Sequence, residues 1–134
     1  MILVDVELQR IRTIYRKFRS VADNAHGNTI GVSGSLTPDS LHKVLQIAKV
    51  FGSHFLDIGA GDGRPMAAAM ASGASSVHGY ELPQNQANAF IFNAAMRQIT
   101  HSLFSIPSYD SRVRLEFEDI EQVLTCSFHK PNAI

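Results

Sequence analysis

A glycine-rich stretch flanked by acidic residues lies near the middle of the chain. The segment FLDIGAGDGR, residues 55–64, is an apolar run with Asp57 inside it and Asp62 further along. The run breaks into alternate glycines, Gly59, Gly61 and Gly63. Such a pattern predicts a buried strand, a tight turn and a helix start. Because glycine adopts positive φ and lets a ligand approach the backbone, we interpret the turn as a cofactor site.

The spacing of the glycines separates three nucleotide-binding loops. A phosphate-binding P-loop needs Gly-Lys-Ser or Gly-Lys-Thr, which does not follow here. The dinucleotide fingerprint needs a small residue three positions after its second glycine, where this chain has Arg64. Asp57 and Asp62 would also repel a pyrophosphate. A cofactor with a cationic end, such as S-adenosylmethionine, fits better, and a nicotinamide-dependent oxidoreductase is the less favoured alternative.

A further acid follows at the distance expected of a ribose-binding carboxylate. SSVHGYEL, residues 75–82, predicts a second strand that ends at Glu81. In Rossmann-type folds, a carboxylate roughly 20 residues beyond the glycine turn holds the ribose hydroxyls. Taken alone, Glu81 could equally begin a turn before Pro83. Its position relative to the glycine turn favours the ribose role.

With these motifs the chain resembles the class I, seven-stranded S-adenosylmethionine-dependent methyltransferases. LDIGAGDGR is similar to their first motif, and GYEL is similar to the acidic end of their second strand. The resemblance implies an α/β, Rossmann-like three-layer sandwich with parallel strands. It also implies that the glycines line the methionine part of the cofactor, that Asp57 lies near its charged end, and that Glu81 takes the ribose. The implied cofactor-binding set is Asp57, Gly59, Ala60, Gly61, Gly63, Glu81, Leu82, Asp119 and Thr37.

A narrower resemblance is to the non-SET histone-lysine methyltransferases, over roughly residues 28–134. It rests on SGSLTPDSLHKVL, HGYELPQ and a strand that ends at Glu118 and Asp119. It implies a protein as methyl acceptor, such as a histone, and a loop over the cofactor at residues 33–37, with Ser35 in place of the family's glutamate. By the wider resemblance Asp119 holds the adenine amino group, although a strand-end acid is equally often a turn former. The catalytic residues stay unknown, because the family's active-site asparagines would follow Ile134.

Periodicity and end signals predict the elements around these residues. The predicted helices span 3–22, Thr37 to Gly52, Arg64 to Gly73 and about 84–99. Strands are predicted at 54–58, 76–81 and 112–119, then a short turn or helix at 121–124. The predicted inward residues of the helices are Val4, Leu8, Ile11, Tyr15, Phe18, Ala22, Leu41, Val44, Leu45, Ala48, Ala87, Phe90, Ile91, Ala94 and Ala95. The β-α-β-α order implies parallel strands.

The C-terminal end of the sheet is expected to be incomplete. Residues 101–111 are predicted to be an irregular connector, and residues 132–134 look like the entry to a fourth strand. We therefore expect a sheet that stops after its third strand. An unpaired edge on the first strand would favour self-association. A non-catalytic S-adenosylmethionine-binding fragment or interaction module is accordingly the alternative to an enzyme.

Composition indicates one soluble globular domain. The chain has 134 residues, 45% of them hydrophobic, and a formal net charge of zero. Its single cysteine, Cys126, excludes an internal disulfide framework, and its six histidines lack the spacing of a zinc motif. No apolar stretch approaches the ~20 residues of a membrane span, and no signal peptide is evident. We expect an intracellular protein, cytoplasmic or nuclear, with no membrane partner and no metal.

The N-terminal region is predicted to be distinct from the rest. Residues 1–27 form an amphipathic basic helix and linker, and residues 28–134 form the cofactor-binding domain. The polar side of that helix carries Arg10, Arg12, Arg16, Lys17 and Arg19. Such a charged face is usually only solvated. The sharper hypothesis is a surface for an acidic partner, such as nucleic acid or a nucleosomal protein.

Overall fold

A computed structural model describes residues 5–26, 36–99 and 112–129 of the chain. Its elements in chain order are α1 (Val6–His26), α2 (Pro38–Ile47), β1 (His54–Ile58), α3 (Arg64–Ala71), β2 (Ser76–Glu81), a 3-10 turn (Pro83–Asn85), α4 (Asn88–Ile99), β3 (Val113–Phe117) and α5 (Ile120–His129). Three segments to which the sequence analysis gives a role lie outside the described residues. They are residues 28–35, the predicted connector at 101–111 and the predicted strand entry at 132–134.

The strands form one parallel sheet in the order β1-β2-β3. In its register, His54 pairs with Ser76, and Val77 with Val113. Helix α3 packs against β1 and β2, and the predicted α/β, Rossmann-like fold is confirmed. Since parallel strands all run the same way, the residues that follow β1, β2 and β3 meet at one edge of the sheet.

One face of the sheet is packed tightly under small residues. On it, Val77 and Val113 are buried, and α3 contacts both β1 and β2. The alanines of α3, Ala67 to Ala69, are fully buried. Gly79 of β2 belongs to the same contact, because a Cβ there would overlap the Met66 sulfur. Small side chains therefore let helix and sheet approach closely.

The other face and the β1 edge carry exposed apolar residues. Leu56 is 56% exposed and Ile58 is 59% exposed, although both lie within a strand. In parallel sheets both faces are usually covered. Beside them, His78 lies 2.7 Å from a Glu116 carboxylate oxygen, so this part of the face is polar. In the described sheet β1 has a neighbour on one side only.

Helix α1 is part of the packed core. Its predicted inward residues Ile11, Tyr15 and Phe18 are buried, together with Ile14 and Val21. The helix packs against α2, α3 and α4. The boundary predicted between residues 27 and 28 stays a prediction, since it lies outside the described ranges.

The inward sides predicted for the two shorter helices are right in part, since Leu41, Leu45, Ile91 and Ala95 are buried as predicted. The exposed residues among those predicted to face inward are Val44, Ala48, Ala87 and Phe90, and Ala94 is half-buried. In their place His42 and Phe92 are buried. His42 is tolerated there because its Nε2 lies 3.1 Å from the Glu7 carboxylate and 3.5 Å from that of Asp5, both at the start of α1. The apolar pattern alone could not show this pairing.

Several ends also differ from the prediction. Helix α2 stops at Ile47, five residues before Gly52, and α5 extends over ten residues rather than a single turn. The chain between Pro83 and Asn85 is a 3-10 turn, so α4 starts only at Asn88. Among the described helices, none combines the length and apolarity needed to cross a lipid bilayer.

Candidate cofactor site at the carboxyl ends of the strands

The glycine turn after β1 needs glycine at each alternate position. The φ angles are +81° at Gly59, +60° at Gly61 and +93° at Gly63. Residues with a Cβ rarely adopt such angles. The surroundings of two of them differ, because a Cβ on Gly63 would overlap the Phe92 ring, whereas one on Gly59 would meet nothing within 4 Å. Gly63 is therefore required for packing, and Gly59 leaves its backbone accessible to a ligand.

The amide groups of the turn are largely used within the protein. The Gly59 and Ala60 amides both donate to the Tyr80 carbonyl, at 2.8 and 2.9 Å. The Gly61 amide donates to Glu81 Oε1 at 2.7 Å, and the Gly63 amide donates to the Ala60 carbonyl at 2.9 Å. A phosphate-binding loop needs such groups free to point at the anion. The turn is thus built as a rigid backbone surface and not as a phosphate cradle at these positions.

Glu81 is the structural partner of that turn. It is 8% exposed, and besides the Gly61 bond its Oε2 accepts from the Leu82 amide at 2.9 Å and from the Asn85 side chain at 2.7 Å. Burial acts to raise the pKa of Glu81, but the three hydrogen bonds together bring that pKa below its usual value. Because a carboxylate oxygen can accept about two hydrogen bonds, Oε1 keeps capacity for one more donor.

Asp57 has the opposite environment. Its Oδ2 is buried, and no described residue donates a hydrogen bond to it. Burial raises the pKa of Asp57 to about 6, and the negative charge of Glu81 contributes in the same direction. A buried acceptor without a donor is costly, so it needs a compensating group. A cationic ligand group beside Asp57 would supply both the missing donor and the missing positive charge.

The second acid of the turn is already neutralised. Arg64 Nε lies 3.0 Å from Asp62 Oδ2. The prediction that Asp57 and Asp62 both present an unpaired charge to a ligand is therefore wrong for Asp62. Of these two acids, Asp57 alone has no cationic partner among the described residues. The preference for a cationic ligand therefore rests on Asp57 and on Glu81 close by.

A residue of α1 completes the surroundings of the turn. The guanidinium carbon of Arg64 lies 5.8 Å from the centre of the Tyr15 ring. The Tyr15 hydroxyl donates to the Leu36 carbonyl at 3.0 Å, next to the start of α2. Burial raises the pKa of Tyr15 to about 12. The sequence predicts Tyr15 only as a core residue, because no local signal links it to a turn some forty positions later.

Thr37 and Asp119, two other predicted site residues, act as helix caps. Thr37 Oγ1 accepts from the Ser40 amide at 3.2 Å at the start of α2. Asp119 Oδ1 accepts from the Glu121 amide at 3.0 Å at the start of α5. These bonds agree with the turn-former alternative for Asp119 but do not test its adenine role. Both residues stay predictions as cofactor contacts.

The structure brings some of the predicted cofactor-binding residues together and connects others only indirectly. Hydrogen bonds join the turn to Tyr80 and Glu81, and the Glu81 carboxylate also accepts from the Leu82 amide. Leu82 is 43% exposed next to Glu81, whereas Ala60 is only 3% exposed and offers its backbone alone. Asp119 shares the same edge of the sheet because it follows β3. Thr37 is connected less directly, through its neighbour Leu36 and the Tyr15 hydroxyl.

Comparison with known proteins supports the fold. No protein-family model matches the chain, and none of the curated proteins does. Among solved structures, the chain resembles a crystal structure described as a "putative RNA methyltransferase" from Pyrococcus horikoshii, with a TM-score of 0.53 and 14% sequence identity. The match covers 82% of this chain and 52% of that one, so this chain spans about half of its length. At this identity, the likeness shows the fold alone.

Proposed function

We propose that this chain binds S-adenosylmethionine and serves as the cofactor-binding part of a methyltransferase. The observation that carries the proposal is the buried, unpaired Oδ2 of Asp57 beside the open backbone of Gly59. The residues present fit the cofactor, because its ammonium and sulfonium groups are cationic and its ribose needs an acceptor. The fold shared with a structure described as a methyltransferase gives further support.

Each residue of the site has a defined task in this proposal. Asp57 accepts from the ammonium end of the cofactor, and Gly59 leaves room for its methionine part. Glu81 accepts from a ribose hydroxyl through Oε1 while Oε2 stays bonded to Leu82 and Asn85. Asp119 would hold the adenine amino group at the end of β3, and Thr37 would line the approach from α2. When bound, S-adenosylmethionine supplies an electrophilic methyl group.

Methyl transfer asks little acid–base chemistry of the protein. The main contribution is to hold donor and acceptor in line and to exclude water from between them. The glycine turn suits this task because its backbone is hydrogen-bonded to β2 before any ligand binds. The residues that would receive or activate the acceptor remain unassigned.

Ligand binding tests the proposal directly. S-adenosylhomocysteine keeps the ammonium and ribose groups, so it should bind in calorimetry and raise the melting temperature. Ligand at 100 times Kd stabilises the native state by about 2.7 kcal/mol. NADH serves as the control for the oxidoreductase alternative. A well-folded protein that binds NADH and ignores S-adenosylhomocysteine would overturn the proposal.

The methyl acceptor has two candidate classes. Protein lysine is the class that the narrower sequence resemblance implies, through residues 33–37 and HGYELPQ. RNA is the class named for the solved structure that shares the fold. Transfer of a labelled methyl group to total RNA and to a histone mixture, measured side by side, separates them. Because the chain spans half of that structure, the assay should also include any longer form of the chain.

A non-catalytic module is the second candidate function. The exposed Leu56 and Ile58 and the one-sided pairing of β1 favour a role in which another strand adds to this edge. Under this hypothesis the chain binds S-adenosylhomocysteine, transfers no methyl group and self-associates. Sedimentation of the wild type and of a Leu56→Lys variant provides the test. Turnover by the monomeric chain would contradict it.

A further inference from the structure

The basic residues of the chain are concentrated on the outer surface of α1. Residues 10–19 contain four arginines and one lysine and no acidic residue, although the whole chain has a net charge of zero. Arg10, Arg16, Lys17 and Arg19 are exposed, and Arg12 is partly exposed. One helix thus carries a local excess of positive charge that the overall composition conceals. A polyanion would be attracted to this part of the surface.

Most of this charge is not neutralised by neighbouring acids. Arg12 forms an ion pair with Asp39, with 2.8 Å between Nη2 and Oδ2. Arg16 donates to the Thr13 hydroxyl at 3.0 Å, which leaves its charge uncompensated. Among the ion pairs that the described residues form, none includes Arg10, Lys17 or Arg19. A helix face that only contacts solvent more often alternates acidic and basic side chains.

The helix holds these side chains on a rigid support. The opposite side of α1 is buried through Ile11, Ile14 and Phe18, each of them fully inaccessible. It packs against α2, α3 and α4. The guanidinium groups therefore project from a fixed axis. A ligand that binds them pays little entropy for ordering the backbone beneath.

Three arginines share one side of α1 with Tyr15. Tyr15, which contacts Arg64 of the glycine turn, has Arg12 three positions before it and Arg19 four positions after it. Residues at these spacings are neighbours on one side of a helix. Arg16 lies four positions after Arg12 and three before Arg19, so it continues the same row. Tyr15, on the same side of α1 as this row, is the residue that contacts Arg64 next to the glycine turn.

We propose that Arg16 and Arg19 bind the phosphate backbone of single-stranded RNA and guide it to the cofactor site. This inference rests on the proposed function, which it deepens by assigning an acceptor class and a surface for it. Phosphate groups match the spaced, exposed cations, and a single strand lets an unpaired base reach the turn. Arg12 takes a smaller part because Asp39 already occupies its guanidinium group.

Fluorescence anisotropy with labelled single-stranded RNA tests the surface. The test variant is Arg16→Gln with Arg19→Gln. The matched control is Lys49→Gln with Arg97→Gln, which removes the same charge from exposed positions outside α1. We expect the test variant to lose affinity at least tenfold and the control to stay within twofold of the wild type. The plot of log K against log salt should also become shallower by about 1.4, because each phosphate contact on a single strand contributes about 0.7.

The same proteins separate failure of the surface from failure of the cofactor site. S-adenosylhomocysteine binding should be unchanged in both double variants, and the melting temperature reports on folding. Equal RNA affinity for the two double variants would overturn the surface even if the cofactor binds. Stronger binding of a glutamate-rich peptide than of RNA would overturn it in favour of a protein partner. Single-stranded DNA of the same sequence reports whether the 2′-hydroxyl adds to the backbone contact, and preference for DNA over RNA would contradict the assigned acceptor.

Discussion

Asp57 and Glu81 lie near the carboxyl ends of two neighbouring strands, β1 and β2, yet the surroundings of their carboxylates are opposite. Glu81 receives hydrogen bonds from Gly61, Leu82 and Asn85, and its pKa lies below the usual value. Asp57 has a buried oxygen to which no described residue donates a hydrogen bond, and its pKa rises to about 6. Two acids of the same site therefore differ in role. Glu81 holds the glycine turn in place, whereas one oxygen of Asp57 is unsatisfied by the part of the chain that the structure describes.

The largest effect is expected at Glu81. A Glu81→Ala change leaves the Gly61 and Leu82 amides and the Asn85 side chain without their acceptor, and each buried donor left unpaired costs about 1–3 kcal/mol. We expect a loss of about 3 kcal/mol in the free energy of unfolding, measured by urea denaturation, and loss of S-adenosylhomocysteine binding. Glu81→Gln keeps one acceptor oxygen and should lose less. Full stability in the alanine variant would remove Glu81 from its structural role.

The two ends of the glycine turn should also respond differently. Gly63→Ala forces a Cβ against Phe92 at a φ of +93°, so we expect a loss of about 2–3 kcal/mol in stability. In Gly59→Ala the new Cβ meets no atom within 4 Å, but the residue must keep a φ of +81°. We therefore expect a loss of only about 1 kcal/mol in the free energy of unfolding, mostly from backbone strain. Its main effect should be on ligand affinity, at least tenfold by calorimetry. Unaltered affinity in Gly59→Ala would mean that the ligand does not pass over this residue.

Replacement of Asp57 should raise the stability of the protein, unlike replacement of Glu81 or of the glycines. Because the pKa of Asp57 rises from 3.8 to about 6 on folding, the native state binds its proton more tightly than the unfolded chain does. The associated stability is present below about pH 4 and is lost as the pH rises through about 6. Asp57→Asn should therefore be more stable than the wild type at pH 7.5, by about 1–2 kcal/mol after allowance for solvent screening.

Ligand affinity gives the second measurement on Asp57. In the wild type, S-adenosylhomocysteine should bind more tightly as the pH rises from 5 to 7.5, since deprotonation creates the charge that its ammonium group meets. The Asp57→Asn variant should bind about tenfold more weakly at pH 7.5 and show no such rise. Calorimetry at both pH values measures this. An affinity that is equally pH-dependent in the variant would assign the titration to another group.

The smallest effect is expected at Thr37. Its hydroxyl caps α2 through the Ser40 amide, and loss of such a cap costs about 1 kcal/mol. Thr37→Ala should lower stability by that amount in thermal unfolding, and Thr37→Ser should restore it. Ligand affinity decides the second role of this residue. A drop in S-adenosylhomocysteine affinity in Thr37→Ala that exceeds its stability loss would support the predicted contact with the cofactor.

The strands and the turn could be predicted because their signals are local. β1 and β2 have the predicted bounds, since the apolar run before the glycines and the run that ends at Glu81 are visible within a few residues. The burial predicted for β1 is wrong, because Leu56 and Ile58 are more than half exposed. The third strand is shorter at both ends than predicted, because Glu118 and Asp119 already belong to the turn into α5. Its position and direction were nevertheless predicted.

Contacts between distant segments could not be predicted in the same way. The placement of Tyr15 against Arg64 and the pairing of His42 with Glu7 each join elements that are far apart in the sequence. Charge and apolar periodicity do not encode such pairs. The exposure of Val44 and Phe90, which were predicted to face inward, has the same origin, because contacts with other elements decide which residues of a helix are buried. The methyl acceptor, likewise, depends on surfaces that only the assembled fold presents.

The Tyr80 carbonyl accepts two hydrogen bonds from the glycine turn, and this fixes the backbone against which a ligand would bind. Two successive amides after β1 share that one acceptor, and the next amide is tied to the side chain that follows Tyr80. Exchange of these amide hydrogens with solvent should accordingly be slow in the free protein and change little on saturation. The conformation of the glycine turn is then fixed when the chain folds. Ligand affinity therefore depends on the contacts that the ligand makes and hardly at all on the entropy of ordering this turn.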